Sequence, residues 1–255
     1  MNGLNTVAQH GERLGSLLTL SGSAVGVRLL ASPITPEGAR LLDHHRYCQA
    51  LMRARKGESV FLTAAGMACP AAAAAFGFRP LPAGLETGKG LVGFGIVADE
   101  AVGRRMFEAM PRLEPGHIQG LHLFPLEESV LAPDVVVVED EVEKLMWISL
   151  AYLNATGGER VQSSTAVLQA TCVDSTIIPY LEQRINLSYG CYGCRDATDL
   201  GPSEAVLGFP VAALPAIVKY LEYLARKAIP TSRAKKAWAS IDGPLRDDPR
   251  GPAGD

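Results

Sequence analysis

The chain lacks any apolar run approaching the roughly 20 residues that a bilayer-spanning helix needs. Its first twenty residues are interrupted by His10, Glu12 and Arg13, which excludes a continuous signal-peptide core. No basic stretch is interleaved with aromatics, and the formal net charge is −3, so the electrostatic footprint of a nucleic-acid binder is missing. Hydrolase signatures of the Gly-x-Ser-x-Gly or His-Glu-x-x-His kind are absent too. These absences point to a soluble, cytoplasmic protein with neither a membrane nor a nucleic-acid partner. In a reducing compartment an odd set of five cysteines is not a disulfide framework, which leaves buried thiols, metal ligation or redox work.

With 47% hydrophobic residues in 255, the chain can bury a full core without staples. Apolar positions Leu4, Val7, Leu14, Leu17 and Leu18 predict an opening amphipathic helix. Strands are expected at Ala24 to Leu30, Val60 to Thr63, Leu91 to Val97, Gly120 to Leu126 and Val135 to Val138. The last run is all β-branched, as suits a strand covered on both faces. Helices are expected over Arg46 to Arg55, Pro70 to Phe76, Asp99 to Met110, Val142 to Leu153 and Leu214 to Ala228. The acidic cluster Glu139, Asp140, Glu141 and Glu143 reads as a helix N-terminus complementing the dipole.

Gly57-Glu58 recurs as Gly158-Glu159, and Cys69 recurs as Cys172 at a similar offset. The pattern predicts an α/β fold of two similar halves from an internal duplication, packed as one compact unit with an added helix at each end. The expected segments are an N-terminal helix (1–23), a first half (24–130), a second half with the cysteine loop and C-terminal helix (131–229), and a solvated tail (230–255).

The cysteines stand in four contexts: Arg46-Tyr47-Cys48, Ala68-Cys69-Pro70, Thr171-Cys172-Val173, and Gly190-Cys191-Tyr192-Gly193-Cys194-Arg195. Structural zinc takes two close cysteine pairs, and this chain has one CxxC, so zinc is the weaker expectation. A [4Fe–4S] cluster accepts dispersed thiolates, here Cys48, Cys69, Cys172 and Cys191, with Cys194 as alternative ligand or neighbouring thiol. Arg46 and Arg195 would balance its charge. Taken singly, Cys48, Cys69 and Cys172 also fit as small core residues, and Cys191 with Cys194 also fits a metal-free redox dithiol. His44 and His45 are expected on an exposed helix face. Gly88-Lys89-Gly90 and Gly93-Phe94-Gly95 lack the full spacing of a phosphate loop.

Through Arg46-Tyr47-Cys48-Gln49-Ala50-Leu51, Ala54-Arg55-Lys56-Gly57-Glu58, Cys69 and the Gly190 to Arg195 loop, the chain resembles the family catalogued as domain of unknown function 169, from about Val25 to Leu224. That family looks like a group of prokaryotic proteins without a settled activity. The resemblance implies a soluble α/β architecture and carries over Cys48, Cys69 and Cys191 as site residues, then Cys172, with Cys194 a variable position. The resulting expectation is an iron–sulfur protein that transfers electrons to a redox partner or acts as a Lewis acid on a small-molecule substrate. A metal-free thiol protein and a ligand-binding protein with structural cysteines are the alternatives, and a homo-oligomer is left open.

Overall fold

The computed structural model describes residues 2–241. Seven strands form one mixed sheet: β1 (Val25–Leu30), β2 (Arg40–Leu42), β3 (Val60–Thr63), β4 (Gly120–Pro125), β5 (Val135–Glu141), β6 (Asn186–Ser188) and β7 (Glu204–Pro210). Their order is β2-β3-β4-β1-β5-β7-β6, with β2 parallel to β3 and every other pairing antiparallel. The helices are α1 (Asn2–Leu18), α2 (Tyr47–Arg55), α3 (Pro70–Ala75), α4 (Ala83–Glu86), α5 (Lys89–Gly93), α6 (Glu100–Glu108), α7 (Val142–Ala155), α8 (Ile178–Glu182), α9 (Tyr192–Ala197), α10 (Leu214–Ala225), α11 (Ala228–Arg233) and α12 (Lys236–Ile241). Between α7 and α8 lies a π-helix, Ala170–Ile177.

The alternation of strand side chains decides the layering. Val135 and Val137 face a core shared with α2, α3 and the π-helix, whereas Val136 and Val138 face a core shared with α1, α7 and α10. An all-valine run is what a strand buried on both faces requires. Amphipathic α10 supplies Leu214, Ile217, Val218, Leu221 and Leu224 to the second core.

The sheet repeats a pattern about the β1–β5 junction. Strands β1, β4 and β3 lie outward on one side, and β5, β7 and β6 in the same order on the other. Helix α2, between β1 and β3, and the π-helix, between β5 and β6, cover the same face. The correspondence differs from the expected one. Cys172 in the π-helix takes the place of Cys48 in α2, and Cys191, N-cap of the helix after β6, takes that of Cys69, N-cap of the helix after β3. Gly57 and Gly158 do both end helices, with φ of +98° and +92°, but α7 covers the opposite face from α2.

Several elements differ from expectation. Residues 91–97 form no strand: Gly88, at φ +82°, packs so tightly that an added Cβ would lie 2.1 Å from the Glu100 carbonyl oxygen, and this approach seats α5 on α6. Glu139, Asp140 and Glu141 extend β5, and only Glu143 enters the first turn of α7. His44 and His45 precede α2 instead of lying on a helix. Thr231 to Ile241 falls in α11 and α12 and the turn between them, whereas the remainder of the expected tail lies outside the described residues.

Candidate functional site

The π-helix is the element that organises the site. Val167 and Gln169 precede it in left-handed conformation, at φ +51° and +54°, and a β-branched residue there stores on the order of 1–3 kcal/mol of strain. The Gln169 carbonyl accepts from both Val173 N (2.7 Å) and Asp174 N (3.3 Å). A wide helix leaves carbonyls to be satisfied elsewhere. Thr176 Oγ1 donates to the Thr171 carbonyl at 2.9 Å, which leaves it to accept from Tyr47 Oη at 2.8 Å, and Asn186 Nδ2 donates to the Asp174 carbonyl at 2.8 Å. The helix presses its backbone onto β7 at Gly208, where an added Cβ would meet the Ser175 carbonyl oxygen at 1.9 Å.

This seating brings the cysteines together. Cys48, Cys191 and Cys194 form one buried cluster with Ala170. The sulfurs of Cys191 and Cys194 are 2.8 Å apart, and Thr171 Oγ1 is 3.1 Å from Cys194 Sγ. Cys191 Sγ accepts from Cys194 N at 3.2 Å and from the Ala170 backbone N–H. Cys172 and partly buried Cys69 border the cluster from the adjoining core, and charge on Cys69, Cys194 or Cys191 is felt at Cys172.

The clamp that holds α2 against α9 is polar. Arg46 Nη1 donates to the Gly193 carbonyl at 3.2 Å and lies 3.7 Å from Asp196, while Gln49 Nε2 donates to the Ala197 carbonyl at 3.3 Å. Arg195 is committed to backbone: its guanidinium donates to the carbonyls of Tyr189, Gly201 and Glu204 and closes the 189–204 segment. His45 Nδ1 is 2.6 Å from the Asp43 carbonyl, and His44 and His45 are not among the clustered groups.

The thiols oppose one another's ionisation. Its bond to Cys194 and then burial push the Cys191 thiol well up, outweighing the two backbone N–H groups. For Cys194 the bond from Cys191 pulls down, but Cys48 and burial prevail and push it up to about 12. Burial, then neighbouring thiols, push Cys172 up as well. A buried thiol so raised is a poor nucleophile. In chelator-treated protein, alkylation of Cys194 by iodoacetamide at pH 8 is expected about a thousandfold slower than for an ordinary cysteine, climbing about tenfold per pH unit through pH 10. A plateau near pH 9 would contradict the mutual suppression.

Among the described residues no three His, Cys, Asp or Glu side chains stand grouped to hold a single metal ion. Two thiolates on one tetrahedral ion would be about 3.8 Å apart, given metal–sulfur bonds of about 2.3 Å, so Cys191 and Cys194 as placed do not share one. Cluster ligands each take their own iron and stand wider apart. Cys48, Cys172 and Cys191, which are buried, and Cys69, which is partly so, come from four separate elements, and Cys191 already receives two N–H groups, a donor set that fits that demand in kind.

Comparison with known sequences places the chain. The model of the DUF169 family, described as uncharacterised ArCR, matches residues 13–220. The chain belongs to the DUF169 family. A curated relative, the uncharacterised protein MJ0308 of Methanocaldococcus jannaschii, is 30% identical over 224 residues, covering 86% of this chain and 95% of that protein. No solved structure matches. The match of the DUF169 model begins within α1 and ends within α10, so it takes in all five cysteines and the whole sheet. No helix among the described residues is long and apolar enough to cross a membrane.

Sequence reasoning missed Tyr47, Thr171, Thr176 and Asp174 as parts of this region. Two of them adjoin a named cysteine in the chain, Tyr47 beside Cys48 and Thr171 beside Cys172, and that adjacency was the available signal.

Proposed function

We propose that this DUF169 protein is an iron–sulfur protein whose cluster is held by Cys48, Cys69, Cys172 and Cys191, with Cys194 as a neighbouring thiol. The observation that carries the reading is the paired placement of these four residues: two on the helices that cover one face of the sheet, two at the N-caps that follow β3 and β6. The same repeated order supports reading the halves as copies of one unit. Bound there, a cluster would supply electron transfer or a Lewis-acidic iron for a small substrate. The chain's own part is to bury the thiols, to direct the N–H groups of Ala170 and Cys194 at Cys191, and to clamp α2 to α9 through Arg46 and Gln49. Thiols pushed up by each other gain most from a cationic group that stabilises their ionised form.

The test is anaerobic purification with iron and sulfide assay and absorbance at about 400 nm. Iron, sulfide and colour are expected in the parent protein and lost in Cys48→Ser and Cys172→Ser. A colourless anaerobic preparation without iron would sink the proposal.

One observation favours a second reading. A sulfur separation of 2.8 Å between Cys191 and Cys194 needs little closure to reach a disulfide at about 2.05 Å. In that reading the two thiols exchange with an external disulfide, which takes up the two electrons and two protons as the Cys191–Cys194 bond forms. The iron-free protein would then lose two hydrogens on treatment with glutathione disulfide, whether or not Cys48 is present.

A further inference from the structure

On the other side of residues 169–174 from the sulfur cluster lies a cavity of about 380 Å³ between α6, the 164–169 loop and the π-helix. Its volume falls within the range of small-molecule sites. Met106, Met110, Leu168 and Ile178 make its wall apolar. Two charged side chains of opposite sign join them. Asp174 is 2% exposed, and its Oδ2 accepts from Thr165 Oγ1 at 2.6 Å and Ser188 Oγ at 2.8 Å. Arg105 stands exposed in the same lining, and among the described residues no ion pair engages it.

A buried carboxylate is expensive to keep unless something needs it. Here two hydroxyls fix its orientation, and the loop that brings Thr165 is the one strained at Val167 and Gln169. Strain held beside a cavity is a mark of a binding site, and π-helices recur at functional sites. An ammonium group suits Asp174, a carboxylate suits Arg105, and an apolar side chain suits the methionines, which adapt to varied shapes.

We propose that this cavity binds a small zwitterion with an apolar side chain, of the α-amino-acid type, its ammonium directed at Asp174 and its carboxylate at Arg105. No cysteine lines this cavity.

The experiment is calorimetric titration of the protein as purified anaerobically with L-leucine, with isoamylamine, which lacks the carboxylate, and with 4-methylpentanoate, which lacks the ammonium. L-leucine is expected to bind at least tenfold tighter than either analogue, with the preference over 4-methylpentanoate abolished in Asp174→Asn and the preference over isoamylamine abolished in Arg105→Gln. Ala109→Phe fills the cavity from the exposed side of α6 without touching the core, and should remove leucine binding while leaving the melting temperature unchanged. Absence of leucine binding, equal binding of all three, or leucine binding that survives Ala109→Phe would each overturn the proposal. Iron content, read on the same samples, reports separately on the cysteine centre.

Discussion

Gly208→Val is expected to leave the protein largely unfolded or misassembled at 37 °C, and Gly208→Ala to destabilise it by about 3 kcal/mol or more. The reason is backbone against backbone. An added Cβ at 208 would lie 1.9 Å from the Ser175 carbonyl oxygen and 2.6 Å from its carbon. No rotamer change relieves such a contact, so the π-helix must lift from β7. Overpacking a core commonly costs about 1–3 kcal/mol, and here the displaced segment also carries Thr171 and Cys172. Urea unfolding would show the lost stability, and thiol alkylation at pH 8 would show Cys172 and Cys194 becoming reactive together. Gly15 in α1, with nothing within 4 Å of an added Cβ, is the control: Gly15→Ala should gain about 1 kcal/mol from helix propensity. Wild-type stability and slow alkylation in Gly208→Ala would mean that the close approach is not what seats the π-helix.

Glu139→Gln is expected to stabilise the protein, by a margin that grows with pH. Glu139 is 4% exposed, and among the described residues neither carboxylate oxygen has a hydrogen-bond partner. Burial pushes its pKa up to about 8, with Arg55 pulling down and Glu204 and Asp199 pushing up. Below about pH 4.5 the carboxyl is protonated in folded and unfolded chains alike, and it makes no pH-dependent difference. Between pH 4.5 and 8 the unfolded chain ionises while the folded one stays protonated, so folding stability falls by about 1.4 kcal/mol per pH unit. The gap between variant and parent should widen across that window to about 4–5 kcal/mol and level off above it. Denaturation midpoints at pH 4.5, 6 and 8 would measure it. A gap that stays constant with pH would show that Glu139 is ionised in the folded protein and has found a partner. Its side of the sheet is that of Val135 and Val137, and its charge is felt by Tyr47, so the carboxyl belongs to the cysteine face.

Much of the architecture was readable from local pattern. The valine run of β5, the Ala24 to Leu30 strand and the amphipathic face of α10 each announce themselves through periodicity. Asp99, at the start of an expected helix, caps it by accepting from Ala101 N and Val102 N. What escaped depends on contacts distant in sequence. Strands β2 and β6 have three residues each, too few for a period to register. The π-helix exists because β7 offers Gly208 and because Tyr47 and Asn186 bond to it, Asn186 from 12 residues beyond Asp174 and Tyr47 from 129 residues before Thr176. Glu139 and Asp140 read as helix-starting acids because sequence alone does not reveal that a strand of valines continues through two carboxylates.

The cysteine region divides in the same way. The cysteines stood out through composition and flanking glycines, and Arg46, expected as a counter-charge, donates to the Gly193 carbonyl. Arg195 looked like a counter-charge because its neighbour is a cysteine. In three dimensions its guanidinium donates to three backbone carbonyls. The matching of Cys69 with Cys172 followed linear spacing, whereas the strand order matches Cys48 with Cys172 and Cys69 with Cys191. Helix α7 lies between β5 and the π-helix on the opposite face, with no counterpart between β1 and α2, so no fixed offset registers that order.

The junction of β1 with β5 also sets a schedule for biosynthesis. A nascent chain that has emerged only as far as β4 presents Cys48 and Cys69 with none of the residues that later enclose them. The clamp from Arg46 and Gln49 waits for the Gly193 to Ala197 stretch, and the floor beneath Cys172 waits for Gly208. The sulfur cluster therefore closes only once the chain through β7 has been made, so its enclosure follows the docking of the second half of the sheet.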